Sequence, residues 1–232
     1  MNTNSSSNRF QALDALRGFA MVWMTAFHFC FDLNYFGWLN QDFYANPVWT
    51  WQRACIVSLF VFCVGWSQSC VLHFSWTRWL QIAGCALLVT LSSYVMYPKS
   101  FIYFGVLHGI AIMLLVLWGL RALGQWLWLV GGAFLWLFFY PPFIANDAPW
   151  NVMGLISQKP ITEDYLPLLP WLVLVCWGYA FGLRSHMTKK KGLNLAFTPF
   201  LRPFAFLGRY SLRYYMLHQP VLIGLLYLCR LA

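Results

Sequence analysis

Apolar stretches of near-transmembrane length recur along the whole chain, separated by short polar connections. Seven of them are close to the ~20 residues that a helix needs to cross a hydrocarbon core. They run over residues 12–35, 51–72, 79–97, 101–120, 125–140, 166–183 and 210–230. Backbone groups in lipid must be satisfied within the segment, so the pattern predicts helices. The expected fold class is therefore all-α, a polytopic transmembrane helix bundle of about seven spans. Residues 1–11 are expected to be a short disordered cytoplasmic N-terminus that lacks the cleavage site of a signal peptide. Residues 12–232 are expected to form one transmembrane domain. A second apolar stretch, 193–207, is broken by Pro199 and Pro203 and is expected to lie in the membrane interface.

The first span departs from a plain anchor. Asp14, Arg17, Thr25, His28 and Asp32 fall within an arc of roughly 80° at 100° per residue. The rest of the circumference is apolar. A charge at the bilayer centre costs at least ~2.5–3.5 kcal/mol, so such a stripe faces a bundle interior or a wet cavity. His28 and Asp32 lie one turn apart, the spacing at which a carboxylate can orient an imidazole as a general base.

Composition sharpens the class. The chain has 232 residues, of which 61% are hydrophobic and 9% charged, against about 25% charged in soluble domains. The net charge of +9 is not gathered on a polar domain, which excludes nucleic acid as the expected partner and points to a topology signal instead. With the segments assigned to alternate sides, one side holds ten basic residues: Arg9, Arg17, Arg78, Arg121, Arg184, Lys189, Lys190, Lys191, Arg202 and Arg209. The other holds four, Arg53, Lys99, Lys159 and Arg230, and Arg213 stays inside the last span. By the positive-inside rule this predicts N-in/C-out. The seven cysteines show no metal-ligand or redox spacing and read as small apolar packing residues; no metal is expected. Phosphate-binding loops, dinucleotide fingerprints and zinc-protease motifs are absent.

Two further spans carry histidines. His108 lies in the fourth, flanked by Gly105 and Gly109. His218 lies near the middle of the seventh, with Ser211, Tyr214, Tyr215 and Gln219 around it. The residues alone leave three classes open: an enzyme using these histidines, a membrane cytochrome ligating haem through them, and a transporter or scaffold subunit.

Four blocks carry a resemblance. Arg9-Phe-Gln-Ala-Leu-Asp14-Ala-Leu-Arg17-Gly leads to His28-Phe-Cys-Phe-Asp32. Then come Phe104-Gly-Val-Leu-His108-Gly and Asp164-Tyr-Leu-Pro167-Leu-Leu-Pro170-Trp171. The last is Leu207-Gly-Arg-Tyr-Ser211 through His218-Gln219-Pro220. In this order they resemble the heparan-α-glucosaminide N-acetyltransferase catalytic-domain family, and its small bacterial members in particular. The first and last blocks also resemble the wider transmembrane acyltransferases that modify cell-surface glycans. The resemblance implies a multi-pass acyltransferase of the bacterial inner membrane that takes an acetyl group from cytosolic acetyl-CoA to a glycan or glycolipid acceptor of the cell envelope. On that reading His28 is the base and Asp32 holds its ring. His218 or Gln219 donates to the oxyanion, and His108 is a further candidate base. Arg17, Arg209 and Arg213 bind CoA phosphates, and Asp164, Trp171, Ser211 and Gln219 contact the acceptor. Assembly as a homo-oligomer is compatible with the reading. Lysosomal members of the family place their catalytic histidine in the loop after span one, whereas residues 37–50 here contain no histidine.

Overall fold

The computed structural model describes residues 4–144, 146–147, 150–162, 164–188 and 199–231. The regular elements among them are all helical, with no strand: α1 (Asn4–Tyr35), α2 (Pro47–Gln68), α3 (Trp76–Met96), α4 (Val106–Leu120), α5 (Leu127–Phe139), α6 (Trp171–Thr188), α7 (Arg202–Arg209) and α8 (Ser211–Leu231). Short 3-10 turns cover Arg121–Trp126, Trp150–Met153 and Pro199–Leu201. Three helical stretches are long and apolar enough to cross a membrane: Pro47–Gln68, Trp76–Met96 and Val106–Phe139. The last is not straight. Gly124 sits at φ +55, a left-handed conformation that glycine adopts without a Cβ penalty, and it separates α4 from α5.

Apolar side chains face outward over much of these helices. On α3, Leu80, Leu87, Leu88, Leu91 and Val95 are exposed, while Ala86 and Ser93 are its buried residues. Contiguous apolar surface on that scale suits lipid and is costly in water.

Helix α1 begins at Asn4, and no proline or glycine interrupts the run before Gly18. At the other extreme, α6 starts at Trp171, five residues after its predicted start. Pro167 and Pro170 keep the preceding residues extended, because a residue before proline disfavours the helical region. Of the expected interfacial stretch, 193–198 lies outside the described residues. The remainder folds into the 3-10 turn and α7.

The chain divides into two compact units, Met1–Phe60 with Leu193–Ala232, and Val61–Gly192. In the first, Ala20, Met21, Met24 and Phe27 of α1 pack with Phe43, Ile56 and Phe60. Helix α7 lies against α1 at backbone contact. A Cβ on Gly18 would meet the Phe204 carbonyl oxygen at 1.8 Å, and one on Gly208 would meet that of Asp14 at the same distance. Small residues that let backbones touch are the usual device of helix pairs in lipid. Contacts between α1 and α8 then climb in one order: Thr25 with Tyr214, His28 with His218, Asp32 with Gln219, Phe36 with Tyr227. The first and last long helices are therefore parallel neighbours.

In the second unit, α2 and α6 touch where a Cβ on Gly65 would meet the Val175 carbonyl oxygen at 2.0 Å. Trp79 Nε1 donates to the Ala111 carbonyl of α4 at 2.9 Å, and Trp177 Nε1 donates to the Trp128 carbonyl of α5 at 3.1 Å. These bonds satisfy two indole N–H groups of this unit.

Candidate active site

The polar stripe of α1 meets the polar residues of α8 in a column. At its lower end Asp14 is bracketed by two arginines, Arg17 Nη1 at 3.3 Å and Arg209 Nε at 3.5 Å. Arg17 also donates to the Gly208 carbonyl at 3.4 Å. That carbonyl belongs to the last turn of α7, where helical acceptors are left without an internal partner. Arg17 therefore clamps α7 to α1. Arg209 is freer, with 58% of its side chain exposed. Arg213 is exposed and lies over the Tyr210 ring at 5.9 Å. These two flank the start of α8, whose N-terminal dipole and free N–H groups favour anions. Ser211 is its first residue.

Higher up, Thr25 donates its only hydroxyl proton to the Met21 carbonyl at 2.9 Å. The 2.7 Å contact between Thr25 and the Tyr214 hydroxyl therefore has tyrosine as donor, and the Tyr214 oxygen keeps lone pairs to accept with. The Tyr214 ring is parallel to that of His218, with centroids 6.3 Å apart. His218 Nδ1 lies 2.6 Å from the Tyr215 carbonyl. A carbonyl only accepts, so Nδ1 carries the proton and Nε2 of the neutral ring is a lone pair. Nε2 is buried and has no partner. A cavity of about 230 Å³ opens here, lined by Thr25, Tyr214, Leu217, His218, Val221 and Leu222.

The His28 and His218 rings stand 5.2 Å apart, which is contact distance for paired aromatic rings. His28 forms no hydrogen bond with Asp32. Asp32, 4% exposed, accepts instead from Gln219 Nε2 at 2.8 Å through Oδ1. The i,i+4 spacing that suggested an orienting pair is real, but the neighbouring helix supplies a better-placed donor.

The other candidates lie in the second unit. His108 Nδ1 accepts from the Gly105 N–H at 3.3 Å, one half of a capping box at the start of α4. Thr90 donates to the Ile102 carbonyl at 2.7 Å, so His108 Nε2 is the donor in their 3.0 Å contact. Both ring nitrogens are thus occupied in holding the α4 entry. Asp164 Oδ2 accepts from the Val106 N–H at 2.9 Å, tying the segment before α6 to the same helix start. Trp171 opens α6 and is half-buried. Nearby, the side chain of Asn151, missed from the sequence, donates to the Tyr103 hydroxyl at 2.7 Å, and the Tyr165 hydroxyl donates to the Asn151 carbonyl. Burial, with Tyr103 close by, pushes the Tyr165 phenol up to about 12. Among the described residues no group of three metal-ligating side chains occurs.

An all-helical chain with membrane-length apolar helices and a histidine column inside one helix pair defines an integral membrane protein with a built polar site. The family model for heparan-α-glucosaminide N-acetyltransferase, catalytic, matches residues 9–220, and the chain belongs to that family. It is thereby placed among membrane transferases. No curated protein and no solved structure matches the chain significantly.

Proposed function

We propose that the protein is a seven-span, N-in/C-out acetyltransferase that moves the acetyl group of cytosolic acetyl-CoA to a sugar or glycan acceptor entering from the other side, in the cytoplasmic membrane of a bacterium. One observation carries the reading. Parallel α1 and α8 align an arginine-rich end with a histidine pair inside the bundle. Arg17 and His28 are eleven residues apart, about 16 Å along the helix, a distance of the order that an extended pantetheine arm bridges. The parallel helices agree with an odd number of spans, and the family membership supplies the transferase class.

In this scheme Arg209 and Arg213 hold the CoA phosphates at the start of α8, with Arg17 fixing the α7–α8 corner beside them. His218 Nε2, the free lone pair, takes the proton of an acceptor hydroxyl or amine. The acceptor atom attacks the thioester carbonyl, the C–S bond breaks, and the leaving thiolate recovers the proton from the imidazolium. His28, in contact with the His218 ring, shapes that pocket and is the alternative base. Ser211 sits at the phosphate end. The test is incubation of purified protein in nanodiscs with labelled acetyl-CoA and an amphiphilic sugar. Transfer of label to the sugar supports the reading. Its absence, together with no thermal stabilisation by CoA, refutes it.

A further inference from the structure

Four polar atoms on the inner faces of α1 and α8 offer lone pairs for hydrogen bonds. Asp32 accepts from Gln219 through Oδ1, and its Oδ2 is buried without a partner. Only the amide nitrogen of Gln219 can donate to that group, so the 2.8 Å bond fixes which way the amide points. Its oxygen Oε1 is consequently aimed elsewhere, also buried and without a partner. His218 Nε2 is the third such atom, and the Tyr214 oxygen, whose proton goes to Thr25, is the fourth. Asp32 takes part in no ion pair among the described residues. Buried polar atoms in native proteins are nearly all paired, and leaving one unmade costs about 1–3 kcal/mol. Three on one helix pair, all of the same polarity, form a pattern, and the complement of that pattern is a molecule rich in donors.

We propose that Asp32 and Gln219 are the specificity-determining pair for the acceptor, reading adjacent hydroxyl groups of a sugar ring through Asp32 Oδ2 and Gln219 Oε1. This rests on the acyltransferase reading above, and it moves Asp32 from orienting a base to recognising substrate. Neighbouring hydroxyls on one ring present two donors a short distance apart, as an acid–amide pair requires. A monofunctional alcohol satisfies one acceptor and leaves the other unpaired. Sites built to bond a substrate hydroxyl discriminate strongly against analogues that lack it.

The informative variant is Asp32→Asn. It is isosteric, its amide oxygen can still accept from Gln219, and it replaces the free oxygen by an N–H group that can no longer accept the sugar hydroxyl's proton. It also removes an unpaired carboxylate from inside a membrane helix. The expected result is a KM for octyl glucoside raised about ten- to a hundredfold, the contribution of one hydrogen bond to a charged group, with kcat little changed. Stabilisation of the ligand-free protein by octyl glucoside should be lost, while its melting temperature stays level or rises. 1-Octanol and octylamine are the comparison probes in nanodiscs, each assayed by thermal shift and by transfer from labelled acetyl-CoA. The inference is overturned if octyl glucoside stabilises the wild type no better than 1-octanol, if octylamine alone binds, or if Asp32→Asn melts well below the wild type, as a structural carboxylate requires. Thermal shift with the sugar needs no turnover. A wild type that binds octyl glucoside but neither binds CoA nor transfers label separates failure of the acyltransferase reading from failure of this one.

Discussion

Nδ1 of His218 lies 2.6 Å from the carbonyl of Tyr215, and that one bond decides which nitrogen of the ring keeps its lone pair. A backbone carbonyl here does the work that a carboxylate does for histidine bases elsewhere: it fixes the tautomer and the ring plane. We predict that His218→Ala lowers acetyl transfer by at least 10²-fold, within the range for loss of a general base, with CoA-induced stabilisation retained. His28→Ala should cost less, because no orienting bond fixes that ring. The reverse ranking would return the base to α1.

His108 provides the contrast. With both nitrogens bound at the start of α4, His108→Ala is expected to lower the melting temperature, by an amount equivalent to about 1–2 kcal/mol for a lost cap. Turnover per folded molecule should be nearly unchanged. A large fall in kcat at unchanged melting temperature would make His108 part of the chemistry.

CoA binding should separate the three arginines. Arg209→Ala and Arg213→Ala remove exposed charge beside the α8 N-terminus, so each is expected to raise the CoA dissociation constant several-fold. The salt dependence of binding should shrink with it, because exposed phosphate contacts are screened. Arg17→Ala releases the Gly208 carbonyl and one side of Asp14, so its main effect should fall on stability. Titration of CoA at two ionic strengths, with a melting curve for each variant, distinguishes these outcomes.

The contact of α7 with α1 leaves no room for a side chain at Gly208. Gly208→Val is expected to destabilise by about 1–3 kcal/mol, the usual effect of forced overpacking. It should also weaken CoA binding, since α7 leads directly into the phosphate end of α8. A variant that melts and binds like the wild type would show that this contact does not form.

Topology is tested with impermeant thiol reagents on intact cells. A cysteine introduced at Gln158 should be labelled, and one at Lys190 should be protected until the membrane is opened. The opposite pattern would invert the orientation derived from the basic residues.

Much of the first unit was legible in the sequence because a helix has fixed angles. Thr25, His28 and Asp32 share one face by arithmetic, and all three turn out to meet α8. The partner of Asp32 was not legible from the same arithmetic. Spacing along α1 brings His28 within reach, but the geometry of a second helix brings Gln219 closer, and no local pattern encodes that. The bonding of His108 was hidden for a different reason. Its motif looked like a site, yet the third position of a helix is where a side chain reaches back to the cap residue. Gly105 followed three residues later by a polar ring at the start of an apolar run carried that signal. The late start of α6 was visible in Pro167 and Pro170.

Because α1 and α8 are parallel neighbours, the two halves of the proposed site are synthesised at opposite ends of translation. A nascent chain inserts His28 and Asp32 first and lacks Tyr214, His218 and Gln219 until the final helix leaves the ribosome. A chain clipped before Ser211 likewise keeps the apolar helices that lodge it in the bilayer but has no cavity and no free imidazole lone pair. On the proposed reading, a half-made or proteolysed chain has no base to act with, and the site is complete only when the chain is.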